Sequence, residues 1–421
     1  MDFETNAKNY YAIFSIIFVI FMISSNIAWL NPRPGYEVYK IPKKIPFMWQ
    51  YNRDSALEII TSAYFPKAFR IERYKSRINR PVYPMVVWVT GTIIGFIAKP
   101  VVDLSPLERA GVAYVIVKFC LHLLAAILMF HLIREYFNAP VALTGVALLF
   151  FDSYIIRHIA TFHTKELQFI SPIIMLYLFN DLCKSYDHKK NIIYSIIIGI
   201  LMLAKENYCI YLAILIFALL NRRVLEMIIS IISHLIPLVL YLIFLKLYGL
   251  NYHNEEIDHG MGVWLLHEFI YKNPIEMLKI VTISFKKYCI ILADKYFVWI
   301  LFAIASVKTI SSKMKHSQTI FQFLLLCMLT NWLQAFAARK YASFITLDIS
   351  IFVFAFSSFF LCEMFQKYSP EIKNRIVGII VITWLFVGIL TLIHFPWVSP
   401  YDQPCAKVKN IQNDLDPTVK Y

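Results

Sequence analysis

A carboxylate lies inside a strongly basic segment near the start of the chain. In YNRDSALEIITSAYFPK, residues 51–67, Asp54 begins a predicted short amphipathic helix, and Glu58 follows at i+4, where both carboxylates can share one helix face. The surrounding segment, 31–81, contains eleven Lys and Arg and four Asp and Glu. Neighbouring cations keep a carboxylate ionised, and an ionised carboxylate can take a proton from a hydroxyl as a general base. The alternative is that Asp54 only caps the helix or lies on the surface, and we expect Glu58 to be a solvated neighbour.

Further charged residues directly flank apolar segments at three later positions. They are Arg157 and Glu166 in FFDSYIIRHIATFHTKE, Lys205 in LMLAKENYCIY, and Arg339 and Lys340, followed by Tyr341, in QAFAARKYASF. Charges beside membrane-embedded segments are costly and indicate function by default, and adjacent cations suit phosphate binding. As alternatives, Glu166 only pairs with Arg157 or Lys165, Lys205 extends to the interface, and Arg339 with Lys340 anchors a helix there.

The composition is that of a polytopic membrane protein. Of 421 residues, 59% are hydrophobic and only 16% charged, and the mean hydropathy is +0.60. The net charge of +14 comes from short cationic clusters between apolar runs. That distribution fits cytoplasmic loops and anionic headgroups, and it argues against nucleic acid as a partner.

The cysteines and histidines do not form a recognisable metal motif. The seven Cys are scattered without a CxxC spacing, which argues against a zinc site or a disulfide framework. His158 and His163 are five residues apart, a spacing that does not bring them together on a helix face. We therefore expect no certain cofactor, with a divalent metal ion as the open alternative.

Eleven apolar segments are candidates to cross the bilayer as helices. They are residues 10–30, 111–133, 140–156, 167–182, 191–204, 208–220, 224–249, 288–307, 318–337, 342–362 and 376–393. Residues 82–97 are also apolar, but they are short and bounded by Pro81 and Pro100. If 82–97 does not cross and the N-terminus lies inside, nearly every basic connector falls in the cytoplasm, as the positive-inside rule requires.

This topology predicts an all-α membrane protein with a long first loop outside. The fold class is a bundle of about eleven transmembrane helices plus a short non-crossing helix in the first outer loop. The membrane domain is predicted over 1–394, with the outer loop and its juxtamembrane helices at 31–110 and a short tail at 395–421. Residues 10–30 have the length of a retained signal anchor. The outer loop keeps its cations against the charge bias, which indicates an anionic ligand.

Several of these motifs resemble the GT-C glycosyltransferases. The resemblance consists of a signal-anchor helix, an outer loop with D-x-x-x-E-x-x-x-x-A-Y at 54–64, and R-P-x-Y-P at 80–84 opening an apolar half-helix. The hairpin at 131–180 and the segment ARKYASFITLDISIFV also resemble the family. The likeness is closest to the branch that uses polyprenyl-phosphate sugars, which includes protein O-mannosyltransferases and aminoarabinose transferases.

The resemblance implies an inverting hexosyl- or pentosyltransferase that moves a sugar from a polyprenyl-phosphate-linked donor to an acceptor hydroxyl on a glycan, lipid or protein. It implies that Asp54 is the general base, that Glu166 is the second outer-turn acid, and that Lys205 and Arg339 meet the donor phosphate. With the charge pattern, this gives catalytic candidates Asp54 and Glu166, and substrate- or phosphate-binding candidates Lys205, Arg339, Lys340, Tyr341, Arg157 and Arg80. Many relatives carry an acidic pair beside the first Asp, where this chain has Arg53 and Ser55.

Two other functions fit a polytopic chain with charged loops. A flippase or transporter for lipid-linked glycans predicts paired charges in mid-helix and internal repeats, and the sequence has few such charges and no visible repeat. A glycan polymerase predicts its large loop late in the chain, whereas here the longest and most charged loop comes first. The lack of organelle signals favours a bacterial inner membrane, with the active site facing the periplasm.

Overall fold

The structure is a computed structural model that describes most of the chain. The described residues are 3–30, 37–40, 48–51, 53–65, 67–70, 80–159, 167–183, 187–205, 208–252, 263–313, 317–337 and 347–394. Their helices are α1 (Phe3–Leu30), α2 (Arg53–Ala63), α3 (Val82–Ala98), α4 (Pro106–Tyr136), α5 (Ala139–Phe150), α6 (Ser153–Ile159), α7 (Leu167–Cys183), α8 (His188–Met202), α9 (Cys209–Leu220), α10 (Val224–Leu247), α11 (Val263–Tyr271), α12 (Pro274–Lys313), α13 (Ser317–Ala337), α14 (Leu347–Met364) and α15 (Pro370–His394). Each of the eleven predicted segments overlaps one of these helices.

Local sequence signals begin two of the helices that frame the bundle. Ser105 and Glu108 form a capping box at α4: the Glu108 N–H donates to the Ser105 hydroxyl at 3.4 Å, and the Ser105 N–H donates to the Glu108 carboxylate at 2.5 Å. At α5 the Asn138 side chain accepts from the Val141 N–H at 3.1 Å. Short capped connections of this kind turn the chain back on itself between apolar helices.

The helices α1 and α4 run antiparallel. Tyr10, near the start of α1, shares a 2.8 Å hydrogen bond with His131, near the end of α4. Phe21, near the end of α1, packs against Phe119 in the first half of α4, with ring centroids 5.2 Å apart. The end of α1 and the start of α4 therefore lie at the same end of the bundle, which we call the upper end. The opposite end is the lower end.

Helix α3 does not run between the two ends. Because α1 ends and α4 begins at the upper end, the segment between them must return there. Its helix α3 packs on the first turns of α4, where the ring centroids of Tyr83 and Tyr114 are 5.3 Å apart and a Cβ at Gly91 would lie 3.1 Å from the Arg109 carbonyl oxygen. The helix predicted over 82–97 is present as α3, and it packs against the first turns of α4; that it does not cross the membrane stays a prediction.

Contacts between the other helices follow the same two ends. At the lower end, the end of α4 meets the ends of α7 and α14, through a Tyr136–Asn180 hydrogen bond and a Phe137–Phe359 ring contact of 4.8 Å. At the upper end, α15 passes the end of α5, because a Cβ at Gly388 would lie 3.0 Å from the Phe151 carbonyl oxygen.

Helix α14 is the centre of the bundle. Every residue from Leu347 to Phe359 is buried, and α14 packs most extensively against α12 and α5. A helix that is apolar on all sides is buried in this way. In contrast, α10 and α15 expose many large apolar side chains, as expected of helices that face lipid.

Length and composition identify the helices that can cross a membrane. Among the described residues, seven helices are long and apolar enough to do so, and four shorter helices are also apolar. The seven segments are Ala7–Ser24, Pro106–Tyr136, Val224–Leu247, Pro274–Ser312, Ser317–Ala337, Leu347–Met364 and Pro370–Thr391, and the shorter ones are Val82–Ala98, Ala139–Phe150, Ile170–Cys183 and Cys209–Leu220. The predicted all-helical membrane bundle is confirmed.

The first loop adds one element that the sequence analysis did not predict. Strands β1 (Glu37–Lys40) and β2 (Met48–Tyr51) pair antiparallel, with Val38 opposite Gln50 and Tyr39 opposite Trp49. Aromatic and β-branched residues favour strands, but four-residue strands are too short to give a clear alternation in a sequence. The hairpin leads directly into α2, the helix that carries Asp54.

Candidate active site

The upper end of the bundle contains a largely apolar groove with a volume of about 630 Å³. One wall comes from the segment after α2 and the start of α3, and the other from the turn after α8 and the last turns of α10. The lining residues include Phe65, Lys67, Pro81, Met85, Leu203 and Phe244. A groove of this size beside lipid-facing helices can hold part of an apolar chain.

A backbone hydrogen bond joins the two walls. The Val82 N–H, in the first turn of α3, donates to the Leu203 carbonyl oxygen at 3.4 Å. Leu203 follows the last residue of α8, and Lys205, two residues later, is half-buried. Arg80 and Lys205 each lie two residues along the chain from this bond, so the backbones of two predicted cations lie close to the groove walls.

Lys67 supplies a positive charge in the wall itself. It begins a short 3₁₀ helix, Lys67–Arg70, and its side chain is exposed. The next residue, Ala68, is fully buried, and its N–H donates to the Tyr64 carbonyl oxygen at 3.1 Å. The backbone that carries Lys67 is therefore fixed against the protein, and the exposed residue lines the groove. An apolar channel with cations at its rim is suited to an amphipathic anion.

Asp54 lies in the first turn of α2, as predicted for an acid that begins a helix. The structure describes its backbone, and its side-chain contacts lie outside the described set. Helix α2 packs against α3 and α4 and leads into Phe65 and Lys67 of the groove wall. The candidate base therefore lies on the helix that leads into that wall, at the end of the helix away from it.

Glu58 does not lie in solvent, and the expectation of a solvated neighbour was wrong. Its side chain is 6% exposed, on a helix face that also buries Thr61 and Ser62. The Ser62 hydroxyl donates to the Glu58 carbonyl oxygen at 2.8 Å. The physical reason is that the face of α2 with Glu58, Thr61 and Ser62 packs against α3 and α4. Residues on that face are buried even when they are charged.

The second predicted outer turn is held by a buried ion pair. Asp152 precedes α6, is 1% exposed, and accepts a 2.8 Å hydrogen bond from the Tyr154 N–H. Lys295 of α12 places its ammonium nitrogen 3.3 Å from the same carboxylate oxygen and 4.7 Å from the centre of the Tyr154 ring. The backbone of Arg157 lies in α6. The preceding residue, Ile156, accepts a hydrogen bond through its carbonyl oxygen from the Ser24 hydroxyl, near the upper end of α1.

The sequence analysis gave Lys295 no role and did not predict the pair. The two residues are far apart in the sequence, and each is adjacent to other charged or polar residues, so no local spacing connects them. Tyr296, the next residue, has non-helical backbone angles (φ −124°, ψ 16°) that bend α12. The bend occurs where the ammonium group of Lys295 meets Asp152.

A second buried acid lies at the start of the central helix. Asp348 is 4% exposed and accepts hydrogen bonds from the Cys209 thiol at 2.7 Å and from the Asn331 amide at 3.1 Å. The sequence analysis counted Asp348 only as a charge within an apolar segment. That isolation was the available signal, since an acid inside an apolar run needs polar partners.

Four predicted site residues lie outside the described residues: Glu166, Arg339, Lys340 and Tyr341. The neighbouring described residues belong to the upper end. Helix α7 begins at Leu167, α13 ends at Ala337 and α14 begins at Leu347. Among the described residues, no group of three or more His, Cys, Asp or Glu is arranged to hold a metal ion.

Comparison with protein families finds a match to part of the chain. Residues 93–248 match the family described as dolichyl-phosphate-mannose-protein mannosyltransferase. The matched segment begins within α3 and ends just after α10, so it includes the positions of Arg157, Glu166 and Lys205 but not those of Asp54 and Arg339. Comparison with curated proteins finds no match.

Comparison with solved structures finds the crystal structure of the Archaeoglobus fulgidus oligosaccharyltransferase tethered with an acceptor peptide. The identity is 12% and the TM-score 0.43, and the match covers 90% of this chain and 54% of that one. This chain therefore spans about half the length of that protein.

Proposed function

We infer that this chain is a membrane glycosyltransferase of the GT-C type, which transfers a sugar from a polyprenyl-phosphate-linked donor to an acceptor hydroxyl. The family match over residues 93–248 supports the reaction class. The choice of donor depends on the groove at the upper end, and the assignment of residues depends on the charges around it.

The observation that carries the proposal is an apolar groove with cations at its rim. A polyprenyl-phosphate sugar has an isoprenoid tail in the bilayer and a phosphate at headgroup depth. Burial of the first isoprene units against Met85 and Phe244 is favourable at roughly 25 cal/mol per Å² of apolar surface. In this arrangement the phosphate lies near Lys67, Arg80 and Lys205.

In the proposed reaction, the bond between the anomeric carbon and the phosphate oxygen breaks, and its electron pair stays on the phosphate. The cations at the rim stabilise that growing negative charge where water is scarce. Lys205 and Arg80 are assigned this role together with Arg157, Arg339 and Lys340, and Tyr341 is assigned to the same phosphate region.

The acceptor hydroxyl attacks the anomeric carbon from the face opposite the phosphate, so a single displacement inverts its configuration. Asp54 accepts the hydroxyl proton as the new bond forms. Glu166 is proposed to orient the acceptor or donor sugar on the other side of the reacting carbon. These roles apply to a glycan, lipid or protein acceptor alike, because each presents a hydroxyl to the same position.

We place the upper end on the non-cytoplasmic side. The lower end receives the basic connectors around Arg134, 187–190, 221–223 and 369–375, and the positive-inside rule puts such loops in the cytoplasm. In a bacterial inner membrane, the groove then opens toward the periplasmic leaflet, on the side of the first outer loop.

The test is direct transfer by the purified full chain in lipid nanodiscs supplied with polyprenyl-phosphate sugars, with released polyprenyl phosphate as the product measured. Replacing Asp54 by Asn should lower the rate by about 100-fold or more, because general-base catalysis contributes roughly that much. The matched control is Asp103→Asn, the same change at an exposed upper-end carboxylate outside the groove.

Two results would contradict the proposal. One is a folded parent chain that releases no lipid phosphate from any hexosyl or pentosyl donor. The other is full activity in Asp54→Asn, which would leave a glycosyltransferase with a different base.

A further inference from the structure

Four helices meet in one polar cluster that the proposed chemistry does not use. Asp348 is the second residue of α14, Cys209 the first of α9, Asn331 lies in the last third of α13, and Tyr288 belongs to α12. The Tyr288 hydroxyl donates to the Asn331 Oδ1 at 2.8 Å. All four side chains are buried, so the cluster lies within the bundle near the upper ends of α9 and α14.

The hydrogen-bond directions in this cluster are determined by chemistry. A tyrosine hydroxyl that donates to Asn331 Oδ1 leaves the amide N–H groups to donate elsewhere. The Asn331 Nδ2 lies 3.1 Å from Asp348 Oδ2, and the Cys209 thiol donates to the same oxygen at 2.7 Å. Asp348 therefore accepts from two helices at once, and a third helix fixes the orientation of one donor.

The cluster is connected to the groove through the start of α9. Cys209 is four residues after Lys205 and six after Leu203, whose carbonyl oxygen accepts from Val82 of the other groove wall. Only five residues separate Leu203 from Cys209 along the chain, so the position of one anchor limits the position of the other. Asp348 holds one of those anchors, although it does not line the groove itself.

Resting on the proposed function, we propose that Asp348 is a positioning residue, which acts through Cys209 to fix the turn of Leu203 and Lys205 and thereby sets the affinity of the groove for a lipid-linked phosphate. Because the turn carries both an apolar lining residue and a cation, its displacement weakens binding of the donor. The acceptor and the chemical step are less affected.

Cys209→Ala tests the inference because it removes the donor to Asp348 while leaving the carboxylate and its Asn331 contact in place. We expect about a fivefold higher KM for the lipid-linked donor, the fold-change for losing one buried hydrogen bond. The kcat and the KM for the acceptor should stay within about twofold. Cys209→Ser, which keeps a donor at this position, should restore most of the donor affinity.

The matched control is Cys362→Ala, which removes another buried thiol of the bundle, near the lower end of α14. It should leave the donor KM unchanged. A general packing defect would lower the stability and raise both KM values in the two variants alike, and that result would overturn the positioning role.

A distance measurement separates this inference from the proposed function. Spin labels at Lys67→Cys and Lys205→Cys report the separation of the groove walls, in a chain whose Cys120, Cys183, Cys289 and Cys405 are replaced by Ser. Adding Cys209→Ala should broaden the distance distribution, and Cys362→Ala should not. An unchanged distribution overturns the positioning role whatever the substrate. A broadened distribution, together with an unlabelled parent chain that binds no polyprenyl phosphate, supports the positioning role and rejects the proposed donor.

Discussion

Polar side chains at the lower end of the bundle join neighbouring helices while remaining close to water. The Asn180 amide donates to the exposed Glu135 carboxylate at 2.7 Å, and the Arg223 guanidinium donates to the carbonyl oxygen of Leu182. Arg375 and Glu371 form an exposed pair one helical turn apart. Each contact links surface groups or the ends of adjacent helices.

At the upper end, three carboxylates are buried instead. Asp152 pairs with Lys295 across helices, Asp348 accepts from two other helices, and Glu58 lies on the buried face of α2. Removing ionisable groups from water costs several kcal/mol unless partners replace it. Glu135 and Glu371 at the lower end are exposed, so the carboxylates of the two ends differ in burial.

This difference indicates which end is built for a fixed geometry. Exposed pairs contribute little and tolerate movement, whereas buried polar clusters hold their helices in one arrangement or destabilise the protein. A transfer reaction needs its base, its cations and its apolar groove in fixed positions relative to one another. The upper end has the buried clusters that can keep these positions fixed.

The largest expected effect comes from breaking the buried pair. Replacing Lys295 by Met leaves the Asp152 carboxylate in the interior without its cation, so we expect a loss of about 3 kcal/mol in the free energy of unfolding. The measurement is denaturant unfolding in mixed micelles. The control at the other end is Arg375→Met, which removes one partner of an exposed pair and should cost less than about 0.5 kcal/mol. Equal losses of unfolding free energy in Lys295→Met and Arg375→Met would contradict the difference between a buried pair at the upper end and an exposed pair at the lower end.

A smaller effect is expected from filling the groove. Met85→Trp adds bulk to the wall at the start of α3, and we expect about a tenfold rise in the donor KM because the apolar chain loses space. Val89→Trp is the matched control, since Val89 lies one turn further along α3 with similar exposure and does not line the groove. A donor KM that responds equally to both substitutions would place the donor elsewhere.

The main features of the fold could be predicted because membrane burial leaves a clear sequence pattern. Long apolar runs predicted the helices, and the charge of their connectors predicted that 82–97 does not cross. The antiparallel contacts of α1 and α4 agree with that prediction, because they place the two ends of the intervening segment at the same end of the bundle. The short strands of the first loop were missed, because four residues carry too little periodicity.

The candidate site was less predictable, for a physical reason. A charge beside an apolar segment can be recognised in a sequence, but its burial depends on which helix lies opposite. The sequence predicted that the Glu58 side chain is solvated, but the packing of α2 against α3 and α4 buries it. Lys295 and Asp348 find their partners on distant segments, which no local spacing reveals. The sequence identified charges that could matter, and the packing determined which of them are held rigidly.

The smallest expected effect concerns a single cation on the rim. Lys67 is exposed at the groove, so its attraction to a lipid phosphate is screened by salt, and Lys67→Ala should raise the donor KM by only about threefold at low ionic strength. The matched change at the lower end is Lys189→Ala, an exposed lysine in the first turn of α8 that should leave the donor KM unchanged. The measurement is the donor KM at two salt concentrations.

The difference in donor KM between the parent chain and Lys67→Ala should shrink at the higher salt concentration, because the Debye length falls from about 10 Å at 0.1 M to about 3 Å at 1 M. A salt-independent loss in Lys67→Ala would mean that the lysine acts by packing its aliphatic stem against the groove, and an effect of Lys189→Ala would mean that the donor is sensed at both ends.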